Sequence, residues 1–133
     1  MNLTIVEATE YNFTNVAAGQ TLAVRLATGI DISQFKDGKL MVRLHSNGIT
    51  TAVLLAVRAY NAWPMPTAPE VRFAETAAAG SVVLTSASTA GYAFFGALTQ
   101  VGPALDVVIE VTQPGTPGAC IAVLSIGLEL WAP

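Results

Sequence analysis

Three consecutive segments decide the fold class: Leu105-Asp-Val-Val-Ile-Glu-Val111, the turn Gln113-Pro-Gly-Thr-Pro-Gly118, and Cys120-Ile-Ala-Val-Leu-Ser-Ile-Gly-Leu-Glu-Leu-Trp131. In the first, Leu105, Val107, Ile109 and Val111 fall on one side of an extended chain and Asp106, Val108 and Glu110 on the other. Successive side chains of a strand point to opposite faces, so this alternation predicts a strand with one buried face. The prolines of the second segment lack an amide donor and cannot continue a ladder, which makes the pair a strand, turn, strand unit. The closing strand is apolar on both sides, with Ile121, Val123 and Ser125 opposite Ala122, Leu124, Ile126, Leu128 and Leu130, and Glu129 its only charge.

The same period runs outward through the chain. Leu22, Val24 and Leu26 alternate with Ala23, Arg25 and Ala27; Leu40, Val42 and Leu44 with Met41, Arg43 and His45; Val53, Leu55 and Val57 with Leu54, Ala56 and Arg58. No window carries the i, i+3, i+4, i+7 stripe of an amphipathic helix, and only a helical turn fits Glu75–Gly80. Asp37-Gly38 and Asn47-Gly48 read as two-residue hairpin turns, because Gly and Asn tolerate positive φ. The strands expected are 3–7, 21–27, 39–46, 50–60, 69–74, 80–86, 92–99, 104–112 and 119–131. They predict a single all-β domain over residues 1–133, an antiparallel β-sandwich of eight to nine strands, with a jelly roll one arrangement open to it. Residues 1–19 are open to serving as an extended N-terminal arm, and the Pro-rich tract Ala62–Pro69 reads as a stiff connection.

Charged residues make up 11% of the chain and hydrophobic ones 53%, with a formal net charge of −3. Mean hydropathy is +0.55. A folded chain of 13.8 kDa exposes roughly 6,600 Å², which nine acids and six bases cover thinly. The inference is that part of the surface touches other protein. The bases Arg25, Lys36, Lys39, Arg43, Arg58 and Arg72 form no run, so nucleic acid is not an expected partner. The charge-free stretches Thr76–Leu105 and Val111–Leu128 are interrupted by Gly, Pro, Ser and Thr, so no membrane span is expected. The N-terminus lacks the basic start of a secretion signal. Lone Cys120, within an apolar run, reads as a buried thiol.

Chemistry is sparse. The one histidine, His45, shares a strand face with Arg43 just before an expected hairpin turn and reads as a solvent-facing or capping imidazole rather than a general base. Asp106 and Glu110 share a strand face, but four residues of strand separate them by ~13 Å, outside either glycosidase spacing without help from another strand. No Cys or His spacing suits a metal. No catalytic residue, cofactor site or metal site is therefore expected, and the chain is not read as an enzyme. Tyr60 and Trp63, flanking Asn61, are the aromatics placed to stack on a sugar, and they carry an alternative reading as a lectin-like carbohydrate-binding module.

The late strand Gly102–Thr112, the Pro-Gly-Thr-Pro-Gly turn and the closing Ile121–Leu130 strand resemble small all-β virion proteins of tailed bacteriophages, of the head decoration or cement type. The resemblance covers the last third of the chain. It implies a non-enzymatic, cofactor-free subunit located in the virion, bound to itself and to a major capsid or other shell protein. A trimer at a local threefold position suits such a subunit, since cyclic closure leaves no sticky surface. Phe94, Phe95, Leu124, Leu128 and Trp131 are the residues expected at subunit contacts.

Overall fold

The computed structural model describes residues 1–62, 79–98 and 104–131. The strands are β1 (Asn2–Asn12), β2 (Thr21–Asp31), β3 (Asp37–Ile49), β4 (Leu54–Ala62), β5 (Gly80–Leu84), β6 (Ala93–Ala97), β7 (Ala104–Thr112) and β8 (Cys120–Trp131). They pair antiparallel in two sheets of four, ordered β1-β8-β3-β6 and β2-β7-β4-β5. Consecutive strands alternate between the sheets from β1 to β4 and again from β5 to β8, and only β4 and β5 follow each other within one sheet. That interleaving is the double Greek key of a jelly roll. No helix among the described residues is long and apolar enough to cross a membrane. The strand expected at 69–74 lies outside the described residues, as does the Pro-rich tract apart from Ala62.

Alternation fixes which residues meet between the sheets. Leu40, Val42 and Leu44 of β3 and Leu124, Ile126, Leu128 and Leu130 of β8 face Leu55 and Val57 of β4 and Leu105, Val107, Ile109 and Val111 of β7, all of them fully buried. The four central strands thus supply most of the core, which Val82 and Leu84 of β5 and Phe13, Ile32, Val53 and Leu98 complete. Each such side chain contributes about 1.5–3 kcal/mol on burial. A shift of one residue in any central strand would turn this set to solvent, so register is strongly specified.

Both dipeptides expected as hairpin turns lie inside β3. Gly38 pairs with Leu130 and Gly48 with Ile121. A Cβ on Gly38 would sit 2.5 Å from the Glu129 carbonyl, and one on Gly48 2.8 Å from that of Ile121. Glycine is present there so that β8 can approach closely. The connection from β3 to β4 is Thr50–Val53, closed by the Val53 amide on the Thr50 carbonyl at 3.1 Å, with Ala52 at φ 74°.

The N-terminal residues form the sandwich's edge strand rather than an arm. β1 follows β8 from Asn2 opposite Glu129 to Asn12 opposite Ile121. The Met1 ammonium donates to the Leu130 carbonyl at 2.6 Å, and the Leu130 amide to the Met1 carbonyl at 2.8 Å. Two register shifts interrupt β1, between Thr4 and Val6 and between Val6 and Thr9, and Ala8 has φ 44°. The opposite sheet's edge strand β2 shifts between Arg25 and Ala27 and again before Ile30, with Gly29 at φ 59°. The other two edges, β5 and β6, are five residues each.

At one end of the sandwich the turn 113–119 and the loop 13–20 are tied by one buried side chain. Gln113 Nε2 donates to the carbonyls of Phe13 (3.3 Å) and Gly118 (2.9 Å), and its Oε1 accepts from the Gly118 amide (3.0 Å). At another point Asn47 Nδ2 donates to the Thr85 and Ser88 carbonyls, holding the β5–β6 loop against β3.

Candidate functional site

The two outer faces of the sandwich differ in kind. On the β2-β7-β4-β5 sheet the acids are already occupied. Glu110 accepts from Arg58 Nε (2.9 Å) and from the Tyr60 hydroxyl (2.6 Å), and Arg58 Nη1 donates to Ser81 Oγ. Asp106 is fully buried, accepts from the Gly29 amide at 2.8 Å and lies 3.7 Å from Arg25 Nε. Neither serves as half of a catalytic pair here: each neutralises an arginine and pins a neighbouring strand. Tyr60 is only 7% exposed, with its ring covered and its hydroxyl committed, so it offers no stacking platform. Trp63 lies outside the described residues.

The outer face of the β1-β8-β3-β6 sheet is open and built in rows. Reading from β6 to β1, one row is Ala97, Lys39, Glu129, Asn2; the next is Phe95, Met41, Gly127, Thr4; the next is Ala93, Arg43, Ser125. Below them Trp131 faces Asp37. Phe95 is 55% exposed and Trp131 42%. The Lys39 ammonium lies 4.8 Å from the Phe95 ring centre and 5.6 Å from that of Trp131. A cation over aromatic faces is worth about 0.5–1 kcal/mol at an exposed site, and here one ammonium lies within reach of both large rings. Gly127, having no side chain, floors a shallow depression of about 330 Å³ walled by Met41, Phe95, Thr4 and Asn2.

Of the residues expected at contacts, Phe95 and Trp131 are on this face. Leu124 and Leu128 are not: both are fully buried between the sheets, because β8 turns its larger aliphatic set inward against β4 and β7. Phe94, one step out of phase with Phe95, is half-buried against the core. Lys39, Met41 and Glu129 were not singled out, although the alternation of β3 places Met41 opposite the core set.

His45 is exposed, and its Nε2 is hydrogen-bonded to Ser125 Oγ at 2.7 Å, which also accepts the Ala8 amide at 2.9 Å. The serine therefore stitches the β1 bulge to β8 and β3. Cys120 is buried in the core without a disulfide, and burial pushes its thiol pKa up. Asp31 accepts from the Ser33 amide and hydroxyl, which hold its carboxyl below the ordinary range. Among the described residues no three His, Cys, Asp or Glu side chains gather where they could hold a metal ion.

No family model and no curated protein matches the chain. Solved structures do. The structure of infectious bursal disease virus Gx strain aligns with a TM-score of 0.50 and 14% identity over 96% of this chain and 30% of that one. The infectious bursal disease virus VP2 subviral particle aligns with a TM-score of 0.50 and 12% identity over 96% of this chain and 31% of that one. This chain spans less than a third of the length of those it matches, and at such identity the likeness is one of fold: an all-β sandwich of the kind found in virus particles.

Proposed function

We propose that this chain is a non-enzymatic structural subunit of a virion shell, of the decoration or cement type seen in tailed bacteriophages, associating with itself and with a major shell protein. The observation that carries the reading is the open sheet face bearing Phe95 and Trp131 under Lys39. Jelly rolls serve viral capsids and lectins alike, and a fold does not choose between them. What supports the shell reading is that Phe95 and Trp131 stand on an open sheet face, while Tyr60, expected to stack on a sugar, is enclosed. The surface of 6826 Å² is ordinary for the mass, so the shortage of charge falls on real exposed area. Covering apolar surface at about 25 cal/mol per Å² supplies the drive for assembly before association costs are subtracted.

Light scattering from micromolar to millimolar concentration, with electron microscopy of the largest species, tests it. A decoration subunit gives a small closed oligomer that builds no shell alone. Closed shells from this chain alone would make it a coat subunit, and a monomer at every concentration would refute self-association.

A further inference from the structure

The open face of the β1-β8-β3-β6 sheet is complementary to itself under one rotation. A two-fold axis parallel to the strands, above the gap between β3 and β8, exchanges β3 with β8 and β6 with β1 and keeps each row level. It sets Lys39 of one copy over Glu129 of the other, and this happens twice. It also sets the protruding Phe95 over Thr4, beside the low floor at Gly127. An axis running across the strands at Met41 would instead bring Lys39 onto Arg43, cation against cation. We propose that this face binds a second copy of this chain about the strand-parallel axis, forming an isologous dimer.

An isologous interface requires each patch to be its own complement, and the charges and relief meet that condition. Within a subunit Lys39 and Glu129 already stand side by side on β3 and β8. The second copy adds the opposite charge above each, so the four alternate in sign. The rings, held by the lysine before contact, lose little freedom on binding. Four strands at ~4.8 Å spacing span about 14 Å between outer axes. Such a face buries about 1,000 Å² in total, at the low end for specific complexes, so the dimer separates on dilution and weakens with salt. This pairing rests on the self-association proposed above and replaces the threefold closure expected from sequence with a two-fold.

Sedimentation of wild type, Lys39→Glu, Glu129→Lys and their equimolar mixture tests it. Each variant alone sets like charges across the axis twice and weakens association by about tenfold or more. The mixture restores opposite charges across the axis and returns association to within about threefold of wild type. Inside each variant the neighbouring residues 39 and 129 remain like-charged, so only a contact between copies explains rescue by mixing. Thermal unfolding of each variant checks folding, and Phe95→Ser reads the same face without a charge change, with dimer loss expected. Variants that associate like wild type, or a mixture no better than its parts, overturn the face and the axis. A wild type monomeric throughout refutes the self-association beneath it as well.

Discussion

Replacing Gln113 by Ala removes a buried side chain that ties the turn 113–119 to the loop 13–20. Three hydrogen bonds go: two donated by Nε2 to the carbonyls of Phe13 and Gly118, and one accepted by Oε1 from the Gly118 amide. Each is worth about 1 kcal/mol net, and the partners left behind cost more where water cannot reach them. The 3.3 Å bond to Phe13 is the weakest of the three, so the loss is set at ~3 kcal/mol, with a range of about 2–4. For a chain of this size that corresponds to a fall in Tm of roughly 10 °C. Urea unfolding followed by tryptophan fluorescence, at one low fixed concentration so that association does not contribute, gives the number directly. Gln113→Glu sharpens the test. It keeps the acceptor for Gly118 but turns a carboxylate oxygen toward two carbonyls, which raises its folded pKa above the ordinary value of about 4.3. A raised carboxyl pKa means the folded form holds the proton longer, so the variant is most stable in acid and loses stability as pH rises through that range. A Gln113→Ala variant within about 0.5 kcal/mol of wild type would refute the reasoning, and so would a Gln113→Glu variant indifferent to pH.

Leu128→Ala should cost about 2–5 kcal/mol by opening a cavity between the sheets, measured by denaturant unfolding, whereas Trp131→Ala should leave the subunit folded. Asp106→Ala should destabilise by about 3–5 kcal/mol, since it strips the buried partner of Arg25 and the acceptor of the Gly29 amide; a loss under about 1 kcal/mol would contradict that placement. Cys120 should resist thiol reagents until the chain unfolds. Because burial raises the pKa of Cys120 and also that of Tyr11, the folded form keeps both protons longer. Stability should therefore decline as pH climbs from about 8.5 through 10, and Cys120→Val should flatten the lower part of that decline.

The central strands were legible because each carries an uninterrupted two-residue period, as in Leu40, Val42, Leu44 and in Leu105 to Val111. What misled was chemistry with two uses. Glycine after Asn or Asp can supply positive φ in a turn or let a neighbouring backbone approach, and only the position of β8 across from Gly38 and Gly48 decides between them. β1 was hard to read beyond residue 7 because its shifts at Val6 and Thr9 break the alternation. The two sides of β8 were separated correctly, yet both looked greasy, and its packing on β4 and β7 chose the inner one. Phe95 and Trp131 were readable as surface aromatics. Their meeting under Lys39 was not, since those residues are remote in sequence and are brought together only by the pairing of β3 with both β6 and β8.

Among the described residues, the four borders of the two sheets are unsuited to accept another strand. Two carry displaced backbone at Ala8 and Gly29, and two are only five residues long. Ribbon growth needs a straight, lengthy border with amides and carbonyls in regular step. With that route closed at these borders, any precipitate the sandwich forms on concentration is expected to be amorphous rather than fibrillar.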